Sequence, residues 1–213
     1  TGTGLILESA SWRASPDWAE PLGLSQDELD SLNIESLRIL HSLKAEYPCL
    51  PIVVSGCIGP RGDGYKPGRI MSVAEAAAYH FRQASTFASG GADMLSALTM
   101  TNVTEAIGIV NAARELSCPV SISFTVETDG SLPTGQALAA AITEVDEATG
   151  GYPAYFMVNC AHPTHFAARL FEGGAWTRRV RGIRANASRC SHAELDAMTA
   201  LDDGDPEELA RFY

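Results

Sequence analysis

Six short apolar runs, each followed by a segment that opens like a helix, constrain this chain more than any other feature. They occupy residues 5–9, 52–56, 94–99, 120–126, 155–160 and 180–185. Each is apolar on both faces and rich in β-branched or aromatic residues, the pattern of strands covered by helices on either side. The helix starts between them are well marked. Ser25, Ser72, Asn102 and Ser191 each stand three residues before a glutamate (Glu28, Glu75, Glu105 and Glu194), the spacing of a capping box. Asp205 followed by Pro206 adds a cap with proline at the first helical position. Within 29–43, Leu29, Leu32, Leu37, Leu40 and Leu43 trace an approximate helical stripe.

Strict alternation of strands and helices implies a parallel sheet. An open doubly wound sheet and a closed barrel both satisfy that rule. The barrel is favoured because no Gly-x-Gly-x-x-Gly turn follows any strand and because the strand-end loops are long and polar throughout. Six strands are visible, whereas eight are needed for closure. The expectation is therefore an α/β fold of the (β/α)8 TIM-barrel type with about six of eight βα units present. Residues 1–213 are expected to form a single partial barrel domain lacking about one strand at each end. No linker, repeat or low-complexity segment suggests a second domain.

Composition narrows the partners. A chain of 213 residues, 46% of them hydrophobic, has enough apolar surface for one sizeable core. Its formal net charge of −11 argues against nucleic acid or an anionic membrane, since both reward clustered Lys and Arg. The one basic concentration, Arg178, Arg179, Arg181 and Arg184, reads as a solvated helix-to-strand connection. No apolar run approaches the roughly 18 residues of a membrane span. Five cysteines, an odd number, fit a reducing, cytoplasmic compartment better than a disulfide framework. The chain opens on Thr1, so the absence of a signal-peptide pattern carries little weight.

Chemistry concentrates where strands end. The run 155–160 empties into Asn159-Cys160, and Pro163 then starts a helix. A thiol at the carboxyl end of a buried parallel strand sits where α/β folds put their reactive groups, which makes Cys160 a candidate metal ligand or nucleophile. With His162 and His165 it forms a Cys-x-His-x-x-His spacing of donors that zinc accepts. A small buried thiol with no such role is the plain alternative. Glu8 ends the first strand, followed by Ser9, Ser11 and Trp12. Its carboxylate suits a ligand ammonium and the Trp12 ring an aliphatic or cationic portion, with a loop salt bridge as the competing reading. Asn186, after the last strand, suits a polar ligand or a turn cap. The stretch 56–65 holds four glycines and a proline, a loop whose backbone approaches something closely. Cys49, Cys57, Cys118 and Cys190 lack ligand spacing and read as packing or surface thiols.

Several stretches, in order along nearly the whole chain, resemble the homocysteine S-methyltransferase family of zinc-dependent barrels. They are Gly-Cys-Ile-Gly-Pro-Arg-Gly-Asp-Gly at 56–64, Ala92-Asp93-Met94-Leu95, Glu105-Ala106, 123–135, Val158-Asn159-Cys160 and Arg184-Ala185-Asn186-Ala187. The resemblance implies that Cys160 is one of three zinc ligands. The other two would come from a Gly-Gly-Cys-Cys segment expected beyond Tyr213. It further implies small-molecule substrates, homocysteine or a related thiol and a sulfonium or betaine-like methyl donor, with methionine as product. It leaves the oligomeric state open. The residues expected to touch substrate are Glu8, Ser9, Trp12, Asn159 and Asn186. One departure stands out: many members carry a glutamate for the homocysteine ammonium where this chain has Leu98. Glu8 is the expected replacement; the alternative is a catalytically silent or divergent barrel that binds a different small thiol, a selenol or an amino acid. The piece as it stands, with one of three ligands, is expected to be inactive alone.

Overall fold

The computed structural model describes residues 2–213. Its sheet is parallel and six-stranded in simple sequence order, β1 (Leu5–Glu8), β2 (Ile52–Ile58), β3 (Met94–Met100), β4 (Val120–Phe124), β5 (Tyr155–Asn159) and β6 (Val180–Arg184). All six expected strands are present; β2 and β3 run further than expected and β4 stops sooner. The main connecting helices are α2 (Gln26–Glu46), α3 (Val73–Ser89), α4 (Val103–Glu115), α5 (Leu138–Thr149) and α6 (Pro163–Glu172), after the single-turn α1 (Pro16–Ala19). Two short helices, α7 (His192–Ala197) and α8 (Pro206–Ala210), follow the last strand.

The capping boxes at Ser25, Ser72 and Ser191 close in both directions, side chain to backbone and back. Asn102 differs. Its side chain accepts from the Glu105 N–H, but the Glu105 carboxylate returns to the Asn102 side-chain amide rather than to its backbone N–H. The leucine stripe of α2 is also only partly a core face. Leu29 and Leu37 are buried in line with Asn33, whereas Leu32 and Leu43 are exposed. Asn33 takes that place because its amide donates to the Ala14 carbonyl at 3.2 Å, tying α2 to the loop after β1.

One face of each central strand supplies the core. Val54, Leu95, Val120, Ile122, Phe124, Phe156 and Val158 pack against helix residues such as Phe87, Ile109, Ile142 and Phe166. The other face departs from the apolar expectation. Ser55, Ser96 and Ser121 are buried there and bond to one another, at 2.7 Å between the first two and 3.3 Å between the last two. Small hydroxyl residues can satisfy each other inside a curved sheet where large side chains would collide.

The curl itself is visible in which strands touch. Glu8 at the end of β1 and Arg184 at the end of β6 form an ion pair, although these are the two edge strands. Across a flat sheet they would stand roughly 24 Å apart, five strand spacings, far beyond side-chain reach. The six strands therefore wrap into an open barrel whose edges are bridged by side chains rather than by a strand ladder.

Candidate functional site

The carboxyl ends of the strands enclose a cavity of about 530 Å³, within the range of small-molecule sites. Glu8, Ser9, Trp12, Asn159 and Cys160, expected from sequence to touch substrate or metal, all line it. Asn186 does not. Its backbone N–H donates to Ala161 O at 3.0 Å, tying the segment after β6 to the segment after β5.

Asn159 is committed to the protein. Its Oδ1 accepts from Thr99 N–H at 2.9 Å and Ser123 Oγ at 2.6 Å, and its Nδ2 donates to Thr99 Oγ1 at 2.8 Å and Cys160 Sγ at 3.0 Å. One side chain thus joins β5 to β3 across β4. Thr99 and Cys160 both have left-handed backbones, with φ of 63° and 56°. Side-chain-bearing residues take that conformation at a cost of about 1–2 kcal/mol, so it persists only where surroundings enforce it. Cys160 is held from three sides. Its N–H donates to Arg184 O at 3.1 Å, its carbonyl accepts from His192 Nε2 at 2.7 Å, and its thiol receives the Asn159 amide.

The glycine loop 56–65 packs onto Trp12. A Cβ at Gly59 would meet the Trp12 carbonyl at 2.2 Å, and one at Gly64 would meet the indole at 3.0 Å. The indole is fixed in turn by donating to Leu98 O at 3.3 Å. Tyr65, the loop's last residue, lines the cavity with Cys160 and lays its ring onto His192, with centroids 4.1 Å apart. Burial, reinforced by the neighbouring thiol, raises the phenol's pKa, so Tyr65 is a neutral hydroxyl. The loop is anchored below by Glu105. Its Oε1 accepts from the Arg61 N–H at 2.6 Å and lies 2.9 Å from His80 Nε2, while Oε2 accepts from Asn102 Nδ2 at 3.2 Å.

The histidines of the Cys-x-His-x-x-His spacing point elsewhere. His162 is the buried cap of α6, its Nδ1 2.8 Å from Thr164 Oγ1, and burial lowers its pKa. His165 Nε2 donates to Arg189 O at 3.0 Å. Cys57 lines the same cavity as Cys160, but burial pushes its thiol pKa up to about 12, so it is protonated and a poor ligand. Among the described residues no three His, Cys, Asp or Glu side chains gather as a metal site. The donors present therefore supply one thiol, Cys160, and do not by themselves fit a zinc ion.

Charge in the cavity comes from two residues. Glu8 is taken by Arg184, the loop salt bridge that competed with a ligand role. Of the solvated basic cluster, Arg184 stays more than half exposed while it pairs with Glu8, whereas Arg179 is drawn in to clasp Asp146 through Nε at 2.7 Å and Nη2 at 3.0 Å. Arg184, Tyr65, Thr99 and His192 are site residues that sequence reasoning passed over. Only the strand-end position of Arg184 and Thr99 could have signalled them.

No curated protein sequence matches the chain. Among solved structures, the metallated form of the homocysteine methyltransferase MmuM from Escherichia coli superposes with a TM-score of 0.70 at 20% identity, covering 91% of this chain and 78% of that one. Its oxidised form gives 0.69 at 20% identity, covering 89% and 77%, and its apo form 0.62 at 18%, covering 91% and 78%. These likenesses establish the partial TIM-barrel fold. Among the described residues no helix is long and apolar enough to cross a membrane. The family profile described as homocysteine S-methyltransferase matches residues 4–211. The chain belongs to the homocysteine S-methyltransferase family.

Proposed function

We propose that this protein transfers a methyl group from a sulfonium or betaine-like donor to the thiol of homocysteine, giving methionine. The acceptor sulfur forms a bond to the methyl carbon as the donor's carbon–sulfur or carbon–nitrogen bond breaks. The electron pair of that bond returns to the donor atom, and the acceptor thiol loses its proton. The observation that carries the reading is the Cys160 thiol, held in a strained strand-end backbone by Asn159, His192 and Arg184 at the floor of the cavity. Trp12 and Leu98 supply an apolar wall for a methyl group and methylene chain. Holding both reactants there removes much of the entropic barrier to displacement.

Zinc dependence belongs to the same proposal, with Cys160 as one ligand and two others that the described residues do not supply. Zinc content measured on wild type and on Cys160→Ala tests it, and equal zinc in both refutes it. Residues 1–213 are read as one partial barrel domain, since Leu5 and Ile6 on the β1 edge are about half exposed where a closed barrel would cover them. Five free thiols accord with a reducing cytoplasm.

The test of function is methionine formation from homocysteine, with a sulfonium donor and separately a betaine, compared with Cys160→Ala. Leu98 in the cavity wall favours a second reading, an acceptor other than homocysteine. Turnover of another thiol or a selenol with none of homocysteine would select it.

A further inference from the structure

The polar groups of the cavity are nearly all spent on one another. Ser9 Oγ lies 2.6 Å from Ser11 Oγ and accepts from the Cys57 N–H at 2.8 Å; Ser11 Oγ donates to Cys57 O at 2.8 Å. All four hydrogen-bonding positions of the Asn159 amide are filled, and Trp12 Nε1 is given to a carbonyl. Of the lining residues, Glu8 and Arg184 alone carry formal charge, and they are paired to each other.

We propose that this ion pair is the anchor for a zwitterionic α-amino acid, Arg184 taking the α-carboxylate and Glu8 the α-ammonium. The inference rests on the methyl-transfer reading for the identity of the ligand and assigns how that ligand is held. The Glu8 side chain is 12% exposed and the Arg184 side chain 56%, so the carboxylate is fixed while the guanidinium can swing open. An ion pair with one partner in solvent stabilises little, so a ligand offering one charge to each partner displaces it at small cost. The guanidinium's planar fork matches a carboxylate in two parallel hydrogen bonds.

Placement supports the same assignment. Asn159 and Arg184 are paired in the β5–β6 register, and the Arg184 carbonyl accepts from the Cys160 N–H. The Arg184 side chain therefore leaves the backbone directly beside the thiol. In homocysteine the sulfur is joined through two methylenes to the carbon bearing both charges. A sulfur at Cys160 thus sets ammonium and carboxylate toward the Glu8–Arg184 edge. Leu98, which cannot hold an ammonium, is left as apolar wall.

The competing role for Arg184 is a strut joining the two edge strands. Calorimetric titration separates the two, using L-methionine, 3-(methylthio)propylamine, which lacks the carboxylate, and 4-(methylthio)butanoate, which lacks the ammonium. Wild type is expected to bind methionine at least about tenfold more tightly than either analogue. Arg184→Met is expected to weaken methionine about tenfold or more while leaving the amine within about twofold, with partial recovery in Arg184→Lys. Glu8→Gln is expected to do the mirror image, penalising methionine and sparing the butanoate. Arg184→Gln serves where Arg184→Met does not fold. Methionine affinity within about twofold of wild type in the Arg184 variants overturns the anchor. So does an equal loss for methionine and amine, the result a strut gives, and so does a wild type that binds no methionine. Methyl transfer assayed on the same preparations keeps the two claims apart. In a zinc-loaded protein with all three expected ligands present, the expected affinity pattern without turnover of homocysteine refutes the function and leaves the anchor. Turnover with unchanged affinity in Arg184→Met refutes the anchor and leaves the function.

Discussion

Replacing Asn159 by alanine should cost far more than one surface amide is worth, and the structure says how much. The substitution leaves the buried Thr99 N–H without an acceptor, removes the acceptor of the buried Ser123 hydroxyl, and strips two donated bonds from Thr99 Oγ1 and Cys160 Sγ. An orphaned buried donor costs about 1–3 kcal/mol and each of the three other lost bonds about 1 kcal/mol, so a total of about 4–6 kcal/mol is expected. For a domain of this size that lowers Tm by about 8–24 °C. Urea unfolding followed by circular dichroism reads it directly, with an unchanged m-value showing that the effect is on stability. Ser123→Ala provides the internal check. Alone it should cost about 1 kcal/mol, and in the Asn159→Ala background almost nothing, a coupling of about 1 kcal/mol. An Asn159→Ala cost below about 1 kcal/mol, with no coupling to Ser123, would refute the argument that this amide braces three strands.

The other predictions follow from single contacts. Gly59→Ala should destabilise by about 1–3 kcal/mol and shift tryptophan fluorescence, because its Cβ meets the Trp12 carbonyl at 2.2 Å. Gly62→Ala, with φ of +82° but open space around it, should cost only the left-handed penalty of about 1 kcal/mol. Glu105→Gln weakens the hold on the Arg61 N–H, so trypsin should cut after Arg61 or Arg69 several-fold faster than in wild type. The Cys57 thiol has its folded pKa raised by burial from 9.0 to about 12, so the folded state keeps a proton that the unfolded chain has released. Its contribution is complete below pH 9.0 and lost as pH rises towards about 12, and Cys57→Ala should flatten that decline in alkaline unfolding curves.

Much of the architecture was legible because it is written in local terms. Capping boxes at Ser25, Ser72 and Ser191 are three-residue events decided by side chain and backbone within one turn, and they formed as read. The same spacing misled at Glu105, where a histidine from α3 and a loop N–H outbid the cap. Asn33 entered the buried face of α2 for a comparable reason, a carbonyl brought to it from 19 residues away. Pattern reading assigns a residue by its neighbours in sequence, and these outcomes were set by neighbours in space.

The sequence by itself determined six strands, their parallel order, the helices between them and the strand-end position of Cys160, because apolar periodicity and capping chemistry act over a few residues. Only the tertiary structure decided what surrounds that thiol. Curling the sheet brings β1 to β6 and β3 to β5, so Glu8 meets Arg184 and Asn159 meets Thr99 across distances that no spacing along the chain encodes. Whether a carboxylate is a free ammonium anchor or half of an ion pair depends on which strand the barrel folds against it.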